Sequence, residues 1–382
     1  MKVNRKFLRS AERLSLSAIA KDSAAQKIVS AVTAIGFAMQ PVAALASTIT
    51  REPGTGTAVN FNENGVANVF AGKVVGDVAI NQFKEFKLDA NNIANMYFCT
   101  SKDSNSAGNL VNFVNSRIDI NGTVNAIQNK KIDGNLFFFS SDGMAVGKTG
   151  VINAGALYVA TPTSTKFDEY KKLDNEDKFN TIIKDEGFAQ IPINASGTIS
   201  VLGKVNAVNA VNLRAAKIGV GKNVSENNIG DVAAGATATG ASIRTGDIDF
   251  TNLVNISKDN VNVNAGLTEN LTATKDANSG DIVLAAYNNY NDNYSVSDDF
   301  SNIAGESVNA ELTVANDAVV NAAGNAKLSA QALNNVLVEK SDQYKENYTP
   351  SASTNSHIKK IILPPLLLIP IFMGRLLLLM LQ

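Results

Sequence analysis

The stretch ASGTISVLGKVNAVNAVNLRAAKIGVG, residues 195–221, reads as three short β-strands separated by glycine turns. Alternate residues of a strand point to the same side. Ile199 and Val201 therefore form an inward row on the first strand, Val205 and Ala207 on the second, and Val211, Leu213 and Ala215 on the third. Gly197, Gly203 and Gly219 stand where the chain has to turn. If such a unit is stacked on another, the apolar rows are buried. Each strand can then pair with the units above and below it, which satisfies the backbone without helices.

The same vocabulary extends through most of the chain after Ser47. One phrase recurs at Val124-Asn125-Ala126, Ile152-Asn153-Ala154, Val205-Asn206-Ala207, Val208-Asn209-Ala210, Val308-Asn309-Ala310 and Val320-Asn321-Ala322, and a cousin, VNVNAG, begins at Val261. A strand phrase repeated between Gly and Asn turns is the signature of a solenoid, although the spacing fits no single period. The asparagines are expected at the turns, where the amide can bond its own backbone and left-handed geometry is tolerated. An antiparallel sandwich is the rival architecture. It would need hairpins at regular spacing, and Asn-Gly pairs are few: Asn64-Gly65 and Asn121-Gly122.

A second stretch, GMAVGKTG at residues 143–150, has the look of a phosphate-binding loop. That loop requires G-x-x-x-x-G-K-[ST], but only three residues separate Gly143 from Gly147, and Asp142 stands where the first glycine belongs. A helix should follow Lys148-Thr149. Instead the sequence runs on as TGVINAGALYVATPT, β-branched and glycine-spaced. The expected local structure is a strand at 136–139, a turn at 140–143, a strand at 144–146, a turn at 147–150 and two short strands within 151–159. No nucleotide partner is predicted.

Composition narrows the chemistry further. The 382 residues carry 34 Lys and Arg against 35 Asp and Glu, so the average charge directs the chain toward neither nucleic acid nor an anionic surface. There is one cysteine, Cys99, and one histidine, His357. A single thiol precludes an intramolecular disulfide, and the pair cannot assemble a zinc site. Cys99 lies among aromatic and apolar neighbours in NMYFCTS and reads as a small buried hydrophobe; His357 lies in the polar run SASTNSHIKK and reads as solvated. No catalytic centre, cofactor or metal is expected.

The ends differ from the body. Residues 1–46 combine a basic front (Lys2, Arg5, Lys6, Arg9, Arg13) with an apolar run from Ile28 and an Ala44-Leu45-Ala46 exit, the parts of an export signal with cleavage between Ala46 and Ser47. Within the body, KFDEYKKLDNEDKFNTIIKDEGF begins a charged helical or loop excursion at 166–190, its carboxylates a solvated face without calcium-loop spacing. N-x-[ST] triplets occur at Asn121, Asn194, Asn223, Asn255, Asn270, Asn293 and Asn347, as composition alone would supply in an Asn-rich chain. The segment IILPPLLLIPIFMGRLLLLML, 361–381, is Leu-rich but broken by Pro364, Pro365 and Pro370 and carries Arg375, a poor membrane span. The tail 351–382 therefore reads as atypical, and the chain as the N-terminal piece of a longer exoprotein.

The region 79–162 resembles the N-terminal secretion domain of filamentous haemagglutinin-type exoproteins, which travel by two-partner secretion. The likeness rests on AINQFKEFKLDANNIANMYF, on LVNFVNSRIDINGTVNAI, and on the strand, Gly turn and G-hydrophobic-I-N-A-G-x-L phrase that ends in ATP at 160–162. The family's N-P-N-G-I turn corresponds to Ser140, Ser141, Asp142, Gly143 and Met144: the glycine is kept, Asp142 replaces an asparagine, and the proline is lost. What the resemblance implies is an all-β chain folded as a right-handed parallel β-helix, with capping strands in 47–79 and a secretion domain over 47–165. Further β-helix coils and Asn-rich segments would occupy 191–350. It also implies an outer-membrane transporter partner that recognises the unfolded domain through its periplasmic domains, with 140–144 as the secretion motif and a destination outside the cell or on its surface. On this reading the protein is a non-enzymatic adhesin whose host-cell or glycan receptor the sequence does not specify. A cytolysin exported by the same route, or a secreted polysaccharide-active β-helix enzyme, is the alternative.

Overall fold

The structure, a computed structural model, describes residues 47–254, 271–296 and 308–340; the export signal, His357 and the Leu-rich tail lie outside the described residues. Strand dominates throughout. The chain opens with β1 (Thr48–Arg51), β2 (Ala58–Phe61), β3 (Val66–Ala71), β4 (Lys73–Val75) and β5 (Val78–Leu88). Among these β1 and β4 pair antiparallel to β5, and β2 antiparallel to β3. These early antiparallel pairs give way to parallel pairing almost everywhere else.

The next passes are β6 (Ile93–Thr100), β7 (Asn109–Val114), β8 (Ile118–Ile120), β9 (Thr123–Gln128), β10 (Lys131–Ile132), β11 (Asn135–Phe139), β12 (Met144–Val146) and β13 (Val151–Ala160). Three helices follow: α1 (Ser164–Tyr170), α2 (Glu176–Ile183) and α3 (Asp185–Ala189). The strands then resume with β14 (Thr198–Val201), β15 (Lys204–Ala215), β16 (Lys217–Val220), β17 (Ser242–Thr245), β18 (Ile248–Asp249), β19 (Thr272–Ala273), β20 (Asp281–Val296), β21 (Glu311–Val314), β22 (Val319–Asn321) and β23 (Ala326–Lys340). β18 and β19 form a separate antiparallel pair.

Three parallel ladders organise the large sheet. The first runs β5, β7, β11, β13, β15, β20, β23. The second starts from the end of β5 and runs β8, β12, β14, β16, β21. The third runs β3, β6, β9, β13, β15, β17, β22. Each ladder contributes a column of apolar residues to one continuous core. In the first, Ala79, Leu110, Leu136, Leu157, Val211 and Ile282 stand in register. In the second the column is Phe86, Ile118, Met144, Ile199, Ile218 and Leu312. In the third it is Ala67, Ala94, Val124, Ile152, Val205 and Ile243. Vertical apolar contact supplies the burial term while each parallel neighbour takes up backbone donors and acceptors.

The architecture is thus all-β with a large, mostly parallel sheet, and several local readings need correction. Residues 151–160 form one strand, not two, whose register against β15 slips between Ala154 and Ala156, at Gly155. Gly219 lies inside β16; the turn is made two residues later by Gly221, at φ +73°. Of the asparagines of the repeated phrase, Asn125, Asn153, Asn206, Asn209 and Asn321 stand in strands rather than at turns, and Asn309 lies just ahead of β21. Asn68, Asn95, Asn125, Asn153 and Asn206 occupy one column of the third ladder, on the face opposite the core rows. Each amide donates to the carbonyl oxygen of the preceding one: Asn95 to Asn68 at 3.1 Å, Asn125 to Asn95 at 3.1 Å, Asn153 to Asn125 at 3.0 Å and Asn206 to Asn153 at 2.9 Å. Arg244 Nε closes the chain on Asn206 Oδ1 at 2.8 Å. A column of identical side chains needs both a donor and an acceptor on every member, and the carboxamide supplies both, on separate atoms.

The charged excursion also differs from a wholly solvated segment. Its acidic residues are mostly exposed, but Phe167, Phe179, Ile182, Ile183 and Phe188 are buried in a second apolar cluster. They cover the outer face of the first ladder, where Val111, Phe137 and Tyr158 follow one another in register beside Phe113 and Phe139. The side chains of Thr163 and Asn175 cap α1 and α2 by accepting from the backbone N–H of Lys166 and Lys178. Glu176 and Asp177 place negative charge in the first turn of α2.

Candidate functional site

The segment 140–144 links β11 to β12 and turns the chain from the first ladder to the second. Ser140 is the hinge. Its N–H donates to Ala160 O at 3.3 Å, its hydroxyl donates to Ser116 O at 2.7 Å, and the same oxygen accepts from Asp142 N at 3.3 Å. A side-chain hydroxyl that bonds the backbone two residues on makes the turn that proline otherwise pre-forms. Gly143 N then donates to Ser140 O at 3.2 Å and closes it.

Neighbouring passes clasp this turn from both sides. Ile118 N donates to Gly143 O at 3.0 Å on one side; on the other, Asn194 Nδ2 donates to Ser141 O at 3.0 Å. Gly143 sits at φ +97°, and a Cβ there would collide with the Thr198 carbonyl oxygen. Both facts require glycine. Met144 is 1 % exposed within the main core, and Ala145 packs outward against Leu202, Ile229 and Val232. Of the five residues Asp142 alone is exposed; Ser141 is half-buried, its hydroxyl enclosed without a hydrogen-bond partner.

The glycine-rich continuation is structural in the same way. Gly147 N bonds Ile120 O, and a Cβ at Gly147 would strike the Asn121 side chain. Thr149 Oγ1 donates to Asn121 O at 2.7 Å, while Lys148 approaches Asp231 at 3.8 Å, both largely exposed. Strand β13 follows, so no helix N-terminus faces the loop.

Elsewhere, Cys99 is 8 % exposed, and burial, followed by Asp103, pushes its thiol up, away from the thiolate that reactivity requires. Asn223, one of the N-x-[ST] asparagines, is fully buried with its amide donating to Asn227 O, Val232 O and Ala233 O. Among the described residues no group of three or more His, Cys, Asp or Glu side chains stands close enough to hold a metal ion, and no helix is long and apolar enough to cross a membrane. A cleft of 260 Å³ lies between residues 131–133, 208–209 and 271–276; its charged lining is Lys131, Asp133 and Asp276.

Sequence reasoning placed the turn but not its clasps. Ser116, Ile118 and Asn194 hold it and Thr198 crowds Gly143, and nothing local in the sequence marks them, since Asn194 and Thr198 lie beyond the helical insertion. No protein-family model matches the chain, and no curated protein matches it either.

Proposed function

We propose that the chain is the secretion domain and first shaft coils of an exported, non-enzymatic adhesin. On this reading it is folded as a right-handed parallel β-helix and delivered across an outer membrane by a partner transporter. The observation that carries the reading is the registered stacking of successive passes in three parallel ladders, beginning from the antiparallel strands β1, β2 and β4. A β-helix that adds one pass at a time traps exported chain outside as it folds, with no nucleotide-driven step in the cargo itself.

The turn at 140–144 suits a motif recognised before folding. Ser140, Gly143 and Met144 are buried once the passes on either side have closed, so a transporter would meet all five residues together only in the unfolded chain. Destination is then the cell surface or medium, with the transporter's periplasmic domains as partner. The test is co-expression of the full chain with a two-partner-secretion transporter. Export that requires the transporter and is lost when Ser140 to Met144 are replaced supports the proposal; export that proceeds equally without a transporter overturns it.

A further inference from the structure

The first residue after the expected cleavage site is held beside an unsatisfied carboxylate. Ser47 Oγ accepts from the backbone N–H of Asp89 at 2.8 Å and from Asn92 Nδ2 at 2.6 Å. The pairing of β1 with β5 sets Thr48 against Lys87, so one step back along the register Ser47 lies opposite Leu88, next to Asp89. The following pass closes over this corner: the N–H groups of Asn121 and Gly122 both bond Leu88 O, and a Cβ on Gly122 would collide with the carbonyl oxygens of Asp89 and Asn92. The Oδ2 atom of Asp89 is enclosed here and has no hydrogen-bond partner. Burial raises its carboxyl above the usual range, against the smaller opposing pull of Lys87. Asn92 and Ser47, which bond at this corner, and Asn121 and Gly122, which close over it, carry no charge.

We infer that cleavage between Ala46 and Ser47 completes this corner: the α-ammonium group released on Ser47 pairs with the Asp89 carboxylate and locks β1 onto β5 in the processed chain alone. The inference rests on the export reading above, specifically on where the leader is removed. In the precursor the Ser47 nitrogen is a neutral amide. Hydrolysis by a protease that removes export leaders adds water across the Ala46–Ser47 bond, with oxygen going to the Ala46 carbonyl carbon and hydrogen to the Ser47 nitrogen. At neutral pH the proton of the new acid passes to the new amine, leaving a carboxylate on the departing leader and an ammonium on Ser47. A buried acceptor without a donor is costly, and a charged donor is the partner it lacks.

The sign with pH follows from both groups. Pairing raises the ammonium's pKa, so its contribution is complete below the ordinary α-amino value of about 7.7–8.0 and is lost as pH rises through the folded value. At the acid end the contribution is lost as pH falls through the titration of Asp89, when the carboxylate becomes neutral.

The experiment compares residues 47–382 bearing a free Ser47 amine with the same chain acetylated at Ser47, each with and without Asp89→Asn. Urea unfolding near pH 6.5 should give the free-amine chain an unfolding constant about tenfold smaller than the acetylated one, the equivalent of one pKa unit. Asp89→Asn should erase that difference. Equal stability of the two forms, or a difference that survives Asp89→Asn, overturns the inference. If Asp89→Asn does not fold, the pKa of the Ser47 amine by NMR in the unmutated chain decides: a raised value supports the pair and an ordinary or lowered one overturns it. N-terminal sequencing of exported protein separates this from the reading beneath it. A terminus other than Ser47 removes the cleavage on which the pair depends, whereas transporter-independent export with Ser47 at the terminus strikes the secretion route and leaves the pair intact.

Discussion

The outer faces of the first and third ladders solve one problem in two ways. On the first, aromatic residues follow one another: Phe137 stacks on Tyr158 with centroids 4.5 Å apart, and Phe113 lies beside Phe139 at 5.4 Å. Such a row cannot be left in water, and α1 to α3 cover it, with Phe188 set edge-on to Tyr158 at 5.4 Å and Phe167 edge-on to Phe113 at 5.9 Å. On the third, the asparagines bond to one another and need only a thin cover. The second amide hydrogens of Asn125 and Asn153 reach the carbonyls of Val254 and Leu253 at 3.3 and 2.9 Å. An apolar row depends on a bulky partner, whereas a carboxamide row carries its own partners.

Breaking the aromatic face should have the largest effect. Phe137 is buried between Phe139, Tyr158 and Phe188, so Phe137→Ala removes the ring that three neighbours rest on. A loss of about 3–5 kcal/mol is expected for truncating a buried phenylalanine. Equilibrium urea unfolding of residues 47–382 measures it, and a protease digest should show cleavage within 164–189 accelerating first. An effect close to that of a surface substitution would mean that the helices do not depend on this face.

The asparagine column should be next. Asn153 donates to Asn125 and to Leu253 O and accepts from Asn206, so Asn153→Ala orphans two carbonyl oxygens, Asn125 Oδ1 and Leu253 O, and one amide donor on Asn206. A cost of about 1–3 kcal/mol is expected for leaving buried polar groups unpaired. Asn68, at the end of the column and only partly buried, should cost less when truncated in the same way. If the two substitutions cost the same in urea unfolding, the bonds do not reinforce one another along the column.

How much of this could be seen in the residues alone depends on distance along the chain. The seven inward positions of 195–221 were legible because strand alternation is local, and all seven, Ile199 through Ala215, lie in the main core. The turn at 140–143 was legible from its glycine. The asparagine column was not. Its members are 27, 30, 28 and 53 residues apart, the last gap lengthened by the helical insertion, so no fixed period exposes them. An asparagine inside a strand phrase looks the same in sequence as one at a turn. The same holds for Asn194 and Thr198, whose contact with the 140–144 turn exists only once the passes are stacked.

A smaller effect emerges only at high pH, and it touches both faces. Burial, followed by the nearby Asp185, holds the Tyr158 hydroxyl well above its ordinary pKa. The neutral phenol is therefore favoured in the folded chain. Its contribution is complete below the unfolded value of about 10 and is lost as pH rises from there through the folded value. Tyr158→Phe should leave stability near pH 7 almost unchanged and make it fall less steeply above about pH 10. Unfolding midpoints collected across that range test the sign. The asparagine face carries Tyr97, two residues on from Asn95 in β6, and burial raises its hydroxyl's pKa too, so Tyr97→Phe should also flatten the fall above about pH 10.

The smallest effect concerns the charges that make 166–190 conspicuous in the sequence. Lys178 reaches Asp174 at 2.8 Å and Lys166 reaches Glu169 at 2.6 Å, but both pairs are well exposed. An exposed pair gains little because water and salt screen it and two long side chains must be ordered to form it. Lys178→Ala and Lys166→Ala should therefore leave the urea midpoint unchanged within error, at low and at high salt. If either shifts the midpoint as Phe137→Ala does, the helices are held by their charges and the aromatic face is incidental. If neither does, the segment stays on the ladder because of Phe167, Phe179 and Phe188 together with the less exposed Lys171–Glu52 pair, and Lys166, Lys178 and their partners only keep its outer side in water.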